Sequence, residues 1–327
     1  MSTARNGDGQ LPGGRPRVAA YANDYGRPAT PDWRALDWAA RERDVLLSGR
    51  RLHHVDHGSG QETFLLIHGM GGRWQHWMEN IPALGQRGRV VAVDLPGFGR
   101  AAAPRSGYSL DGFADTAAAL CHELGLTGVV CAGHSLGGSV AVRFAVRHPE
   151  LARAIVPVSG AVDLFSDVLS LRGIPAVARL SPRTVASTLF EVLTAGLPAP
   201  ARLRRRIAAG WWTRQAVLWP YLREPARIRP DTAALLLDGA GARGVLPTAR
   251  AVALADPFAG VAEVRCPILV VNADDDPISP VVRLAGFTRA TVSVESVVIE
   301  GTGHMLMLER PDAFNAELAR FLDTLGE

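Results

Sequence analysis

The chain contains no lysine, so all 35 of its basic residues are arginines. It has only three cysteines, Cys121, Cys131 and Cys266, which are unevenly spaced inside apolar stretches. This pattern excludes a disulfide framework and a zinc site, and it predicts reduced thiols in the core of a cytoplasmic protein.

Long apolar runs are also missing, and the longest falls far short of a membrane span, so no transmembrane segment is expected. The N-terminal residues are rich in Gly, Pro and Arg and lack the apolar region of a secretory signal. We therefore predict a flexible tail over residues 1–40. A formal net charge of +3 is too small to indicate a nucleic-acid partner.

The positive charge is unevenly distributed. Residues 168–250 contain 13 arginines and four acidic residues, and the densest cluster is Arg202-Leu203-Arg204-Arg205-Arg206. Such a cluster could attract an anionic substrate, an acyl-carrier partner or a membrane surface. It could equally be the solvated face of an inserted segment, which is the interpretation that we favour.

Short apolar strands alternate with helical stretches along most of the chain, which is typical of a parallel sheet covered by helices on both faces. A hairpin is expected at 45–55. Strands are predicted at 63–67, 90–93, 128–132, 154–158, 267–271 and 294–299, and helices at 74–84, 110–124, 139–146, 280–288 and 311–325. The alternation stops between 161 and 261, where the pattern is helical and interrupted by prolines. We predict an α/β core formed by 41–160 and 262–327, with a helical lid inserted at 161–261.

The most informative motif is Gly133-His134-Ser135-Leu136-Gly137-Gly138, which lies between a predicted strand and a predicted helix. In a strand–turn–helix of this kind the serine hydroxyl is exposed at the tip of a strained turn. The glycines on either side allow the strand and the helix to pass closely. Ser135 is therefore the candidate nucleophile.

A serine hydroxyl needs a base to activate it, and the base needs an acid to orient it. His304 is the best-placed histidine, in a turn of small residues after the last predicted strand. Candidate acids follow another strand at Asp274, Asp275 and Asp276, and Asp163 is a rival after the preceding strand.

The developing oxyanion needs two N–H donors. The backbone N–H groups of Met70, in the turn His68-Gly69-Met70-Gly71-Gly72, and of Leu136 could supply them. The glycine spacing matches neither a dinucleotide-binding nor a P-loop pattern.

These blocks together resemble the α/β-hydrolase superfamily, in its lid-bearing esterase- and lipase-like branch, from about Val45 to Leu325. Two further blocks carry the likeness in family order: Asp94-Leu95-Pro96-Gly97-Phe98-Gly99, and Gly303-His304 followed by Glu309-Arg310-Pro311 and Phe314. The family places its acid four residues before a proline, and counting back from Pro280 selects Asp276. The resemblance thus implies a triad of Ser135, Asp276 and His304.

The resemblance also implies hydrolysis of a carboxylic ester or a related small acyl compound, through an acyl-enzyme and without a metal or organic cofactor. The substrate could be anionic or carrier-bound. Thioesterase, lactonase, acyltransferase, cyclase and C–C bond hydrolase activities remain alternatives, as does a non-catalytic ligand-binding protein. Candidate substrate-binding residues are Trp74, Trp211, Trp212, Trp219 and Met305.

Overall fold

The computed structural model describes residues 16–19, 24–160, 181–194, 196–253, 255–256, 258–279 and 286–326. Asp163, one of the candidate acids, and most of the predicted helix at 280–288 lie outside these residues.

A nine-stranded sheet organises the described chain, in the order β1-β9-β8-β7-β6-β4-β5-β3-β2. The strands are β1 Arg17–Ala19, β2 Glu42–Leu47, β3 Arg50–His57, β4 Glu62–Ile67, β5 Gly88–Val93, β6 Val129–His134, β7 Ala152–Val158, β8 Ile268–Ala273 and β9 Val294–Ile299. Only the β2–β3 and β3–β5 pairs are antiparallel. The predicted mostly parallel α/β sheet is confirmed.

Two apolar layers cover the two faces of this sheet because successive side chains of a strand point to opposite faces. Phe64 and Leu66 of β4 belong to one buried cluster, whereas Leu65 and Ile67 belong to the other. The central strands are therefore apolar on both faces, which is why they read as continuous hydrophobic runs in the sequence.

Three described helices of the core lie between consecutive strands of the chain, and two follow the last strand. They are α1 Ile81–Gly85, α2 Leu110–Glu123, α3 Leu136–Arg147, α9 Leu306–Glu309 and α10 Pro311–Leu325. The single helix predicted at 74–84 is instead a 3₁₀ turn, Trp74–Trp77, followed by α1. Pro82 explains the break, because proline has no N–H and is tolerated only in the first turn of a helix.

A flexible tail is predicted over residues 1–40, but for residues 24–40 this prediction is wrong. β1 pairs in parallel with β9 at the edge of the sheet. Tyr25 and Ala29 are buried, and the Ala29 N–H donates to the Glu79 carboxylate at 3.0 Å. This part of the N-terminal region is packed against the core.

Residues 182–194 and 196–253, which lie between β7 and β8 in the chain, form a helical segment. It contains α4 Pro182–Thr194, α5 Ala201–Ala209, α6 Trp211–Leu218, α7 Pro230–Leu237 and α8 Val245–Ala253. It touches the loops at the carboxyl ends of the strands: the Gly244 N–H donates to Gly97 O at 3.1 Å, and the Met305 N–H to Tyr221 O at 3.1 Å. A Cβ on Gly239 would lie 1.6 Å from Gly71 O, so the segment and the Gly71 loop are in direct backbone contact. In the described chain, no helix is long and apolar enough to cross a membrane.

Candidate active site

Ser135 lies at the turn between β6 and α3 with a φ of 52° and a ψ of −116°. A non-glycine residue at positive φ is strained, and the surrounding structure must hold it there. The Ser135 N–H donates to Val158 O at 2.8 Å. A Cβ on Gly133 would lie 1.9 Å from Gly137 O, so the turn cannot close with a larger residue at that position. The geometry is that of a strained turn that exposes its serine.

His304 lies in the loop after β9, and its Nδ1 is 2.8 Å from Oδ2 of Asp276 in the loop after β8. The other oxygen of Asp276, Oδ1, accepts the N–H groups of Ile278 and Ser279, each at 2.8 Å. The carboxylate is thereby fixed, and an ionised carboxylate makes Nδ1 the protonated nitrogen of a neutral His304. Nε2 remains available to accept a proton.

The other two acids of the same loop point elsewhere. Asp274 accepts the Thr302 N–H at 3.1 Å, and Asp275 forms an ion pair with Arg183 of α4. Arg223 lies 3.5 Å from Asp274 and 3.6 Å from Asp275. Of the three consecutive acids, the structure brings only Asp276 to His304.

The pair has the electrostatics of a general base and its orienting acid. Burial alone would lower the pKa of His304, but the Asp276 carboxylate outweighs burial and raises this pKa above its usual 6.5. Burial would raise the pKa of Asp276, but the charge and the hydrogen bond of His304 hold it below its usual range. Asp276 is therefore an anion at neutral pH.

Two other buried histidines support the loops. His68 Nδ1 lies 2.7 Å from Gly69 O, and its Nε2 accepts the Leu95 N–H at 2.9 Å. The His134 Nε2–H donates to the carbonyl oxygen of His304 at 2.9 Å. Burial lowers the pKa of both rings, so they remain neutral. Their hydrogen bonds hold the loops around the cavity in place.

A cavity of about 400 Å³ opens beside Ser135 and His304. Met70 lines it from the loop after β4, and Leu136 begins α3, where a first-turn N–H has no partner inside its helix. Most of the remaining wall is apolar and comes from the helical segment. No cluster of three or more potential metal ligands occurs among the described residues.

Comparison with known proteins is consistent with this geometry. A model of the alpha/beta hydrolase family matches residues 64–317. The chain belongs to the alpha/beta hydrolase family. In this family, the strained turn after β6 is the position of the nucleophile.

Several relatives of this alpha/beta hydrolase are hydrolases or acyltransferases by name. The (E)-2-((N-methylformamido)methylene)succinate hydrolase of Acinetobacter baylyi is 26% identical over 85% of this chain and 97% of its own length. The dihydrolipoyllysine-residue acetyltransferase component of the acetoin cleaving system of Cupriavidus necator is 30% identical over 94% of this chain and 75% of its own length. A thermophilic esterase from Thermogutta terrifontis has a similar structure, with a TM-score of 0.64, 23% identity and coverage of 87% of this chain and 99% of its own.

Of the five predicted substrate-binding residues, one lines the cavity and four lie elsewhere in the structure. Met305 lines the cavity. The described cavity wall does not include the four tryptophans. Trp74 is buried in the core against Trp38, and Trp219 packs edge-on against Phe190. Trp211 and Trp212 stack on each other at the surface, 55% and 66% exposed. Because the segment turns its tryptophans away from the cavity while Phe190 and Tyr221 line it, aromaticity alone did not identify the wall.

Sequence reasoning missed two polar residues in the cavity wall, namely His76 and Glu191. Both ring nitrogens of His76 are buried without a hydrogen-bond partner in the described chain. Burial lowers the pKa of His76 to about 3, so the ring is neutral. Glu191 was identifiable only as the single acid of α4, which is a weak signal.

Glu309 connects the loop of His304 to two distant parts of the chain. Its Oε1 accepts the Gly303 N–H at 2.9 Å, and its Oε2 accepts the Arg223 N–H at 2.9 Å and the Tyr25 hydroxyl at 2.8 Å. The side chain is fully buried. One carboxyl group thus joins the N-terminal region, the helical segment and the residue before His304.

Proposed function

We propose that this alpha/beta hydrolase is a serine hydrolase that cleaves a carboxylic ester or a related acyl bond through an acyl-enzyme. Ser135 is the nucleophile, His304 the general base and Asp276 the group that orients His304. The observation that carries the proposal is the 2.8 Å contact of His304 with Asp276, beside the cavity that Ser135 also lines.

The reaction proceeds in two halves. His304 Nε2 takes the hydroxyl proton of Ser135 as Oγ attacks the acyl carbon, and the N–H groups of Met70 and Leu136 stabilise the oxyanion. The tetrahedral intermediate expels the alcohol, which leaves with the proton held by His304. Water then gives a proton to His304 and attacks the acyl-enzyme, and the carboxylic acid departs as Ser135 recovers its proton. Asp276 stabilises the imidazolium at each stage.

We propose further that the helical segment acts as a lid over this site. Its contacts with Gly71, Gly97 and Met305 hold it on the rim of the catalytic loops. A mostly apolar wall supplied from above excludes water from the acyl group and strengthens the electrostatic interactions inside.

Labelling with a fluorophosphonate tests the nucleophile, since this probe reacts only with an activated serine. We expect one modified residue, located at Ser135 by mass spectrometry, and hydrolysis of p-nitrophenyl esters of short fatty acids. Both should disappear in Ser135→Ala, with turnover lower by about 10⁶-fold.

Ser159→Ala is the matched control. Ser159 is also a serine at positive φ, 44°, at the end of the neighbouring strand, but it is absent from the cavity wall. That variant should retain labelling and turnover. A folded wild-type protein that neither reacts with the probe nor hydrolyses any ester would refute the proposal.

A further inference from the structure

The helical segment brings a carboxyl group into the cavity opposite the sheet. Glu191, near the end of α4, lines the cavity together with Ser135 and His304. Its Oε2 atom is buried and has no hydrogen-bond partner in the described chain. A buried polar atom without a partner costs free energy, so its presence needs an explanation. A ligand group inside the cavity would provide the missing partner.

The rest of the wall restricts what that ligand can be. Apolar side chains dominate it, among them Met70, Phe190, Leu203, Ile207, Val217 and Val245. Although the segment is rich in arginine, no arginine lines the described part of the cavity. On α5, Leu203 and Ile207 face the cavity, whereas Arg202, Arg205 and Arg206 are exposed. Along the described part of the wall, an anionic substrate group would therefore meet a carboxyl group and no arginine.

The electrostatics of Glu191 agree with a role as a hydrogen-bond acceptor. Burial raises its pKa to about 7, with an opposing effect from His304 and a reinforcing one from Asp276. Both protonation states are therefore accessible near neutral pH, and a donor from the ligand would stabilise the carboxylate. Burial and the charge of Glu191 raise the pKa of Tyr221, so this neighbour remains a neutral phenol.

We propose that Glu191 anchors the substrate by accepting a hydrogen bond from it, so that the preferred substrate is an uncharged, largely apolar ester that carries a hydroxyl or amide N–H donor away from the scissile bond. This inference rests on the proposed function, because it assigns the part of the substrate that is held while Ser135 attacks. Glu191 is a positioning and specificity residue in this scheme, and the chemistry belongs to the triad.

Four matched p-nitrophenyl esters test the anchor: hexanoate, 6-hydroxyhexanoate, 6-acetamidohexanoate and the monoester of adipic acid. For the wild type we expect kcat/KM about tenfold or more higher for at least one of the two donor-bearing esters than for plain hexanoate, and lowest for the anionic adipate. A hydrogen bond to a charged group is worth about that ratio. The two donor arms distinguish a hydroxyl from an amide as the anchored group.

Glu191→Leu should abolish the preference for the donor, so that within this variant kcat/KM for the donor-bearing esters equals that for plain hexanoate to within about threefold. Glu191→Gln should keep part of the preference, because its amide oxygen still accepts, and should improve adipate about tenfold by removing the charge. Glu224→Gln is the matched control, since Glu224 is an acid of the same segment that is paired with Arg227 outside the cavity wall. Ratios among the esters that stay the same in Glu191→Leu would overturn the inference.

Binding without turnover separates this inference from the proposed function. The methyl esters of the same four acids are titrated by calorimetry into Ser135→Ala and into the double variant Ser135→Ala/Glu191→Leu. We expect a donor-bearing ester to bind about tenfold tighter than the plain ester in the first protein and equally well in the second. Equal affinities in both proteins would overturn the anchor even if Ser135 is the nucleophile. Tighter binding of the donor in a wild type that hydrolyses nothing would overturn only the proposed function.

Discussion

Buried carboxyl groups on the two sides of the cavity differ in how completely their oxygens are hydrogen-bonded. On the sheet side, Asp94, Asp276 and Glu309 each accept hydrogen bonds on both oxygens from the chain itself. On the helical side, Glu191 leaves one buried oxygen without a partner in the described chain. The carboxylates of the sheet side are fully hydrogen-bonded before a substrate arrives, and the carboxyl group of the helical side is not.

This difference separates two tasks that one cavity must perform. Preorganised groups stabilise a transition state best when they need no rearrangement, which favours carboxylates on the sheet side that are already fully hydrogen-bonded. Discrimination between substrates depends on buried polar groups that only the right ligand can satisfy. Changes on the sheet side should therefore reduce activity toward every substrate alike, whereas changes on the helical side should alter the ranking of substrates.

Among the changes that test this comparison, Asp276→Asn on the sheet side should have the largest effect on turnover. Asparagine keeps the shape of the side chain but removes the charge that orients and stabilises protonated His304. We expect turnover of p-nitrophenyl esters to fall by about 10⁴-fold. Steady-state kinetics on purified, folded protein measure it.

Asp274→Asn and Asp275→Asn are controls in the same loop. Their carboxylates face Thr302, Arg183 and Arg223 instead of His304, so each should change turnover by less than about tenfold. A collapse of activity in either control, with near-normal turnover in Asp276→Asn, would reassign the orienting acid.

Glu309→Leu should produce the next largest effect. It should reduce both the stability and the activity of the protein. It would leave the buried donors of Gly303, Arg223 and Tyr25 unpaired, at a cost of about 1–3 kcal/mol for each donor that finds no water. We expect a loss of about 3 kcal/mol or more in the free energy of unfolding, measured by urea denaturation.

Glu309→Gln retains one acceptor oxygen at the same position and should lose less than half as much. Because Gly303 precedes His304, both variants should reduce kcat more than they raise KM. Equal stability of the leucine and glutamine variants would show that these hydrogen bonds are not what holds the loop.

The pH dependence follows from the state of His304. Only the neutral imidazole can accept the serine proton, so kcat/KM should fall about tenfold per pH unit below the pKa of His304. That pKa is raised above 6.5 by Asp276, so the loss of activity should begin above pH 6.5. The measurement is a pH–rate profile on plain p-nitrophenyl hexanoate.

Two variants identify the group that titrates. In Asp276→Asn the main charge that raises the pKa of His304 is gone, while burial, Glu191 and Glu309 remain, so an NMR titration of His304 should show a lower pKa than in the wild type. In Glu191→Gln the acid limb should persist, because Glu191 titrates near pH 7 without taking part in proton transfer. Loss of the acid limb in Glu191→Gln would show that this limb reports the titration of Glu191 and not that of His304.

The sequence was more informative about the sheet side than about the helical side. Apolar runs predict strands directly when a strand is buried on both faces, and the fold depends on these strands. The blocks around Ser135 and His304 are recognisable because backbone geometry restricts them to glycine and small residues. Ser159 and the strand β1 had no such signal, since a positive φ or an edge pairing imposes little on composition.

The helical side was less predictable because many sequences can line an apolar wall. Glu191 became noticeable only once its burial and its missing partner were known. The tryptophans of the segment were candidates for the cavity wall or for the segment's own core, but Trp211 and Trp212 stack on each other at the surface instead. Which face of a helix points inward depends on the neighbours that it packs against, and no single-residue preference encodes that.

Substitutions in the arginine cluster should have the smallest effect on kcat/KM. They allow residues inside and outside the cavity wall to be compared within one helix. Arg202, Leu203 and Arg205 are all exposed on α5, but the two arginines lie outside the cavity wall, whereas Leu203 between them is 48% exposed and lines the cavity. The double variant Arg202→Ala/Arg205→Ala should leave kcat/KM for neutral p-nitrophenyl hexanoate within about twofold of the wild type, as expected for exposed positions. Leu203→Ala should raise KM about fivefold, because it removes apolar surface that the acyl chain contacts.

An anionic ester distinguishes attraction at the surface from binding inside. If the arginines only raise the local concentration of anions, the double variant should reduce kcat/KM for the adipate monoester at low ionic strength, and the reduction should vanish near 0.15 M salt, where exposed charges are screened beyond about 8 Å. A tenfold loss on the neutral ester would instead mean that these arginines reach the cavity. The polar discrimination of the helical side would then depend on cations as well as on Glu191.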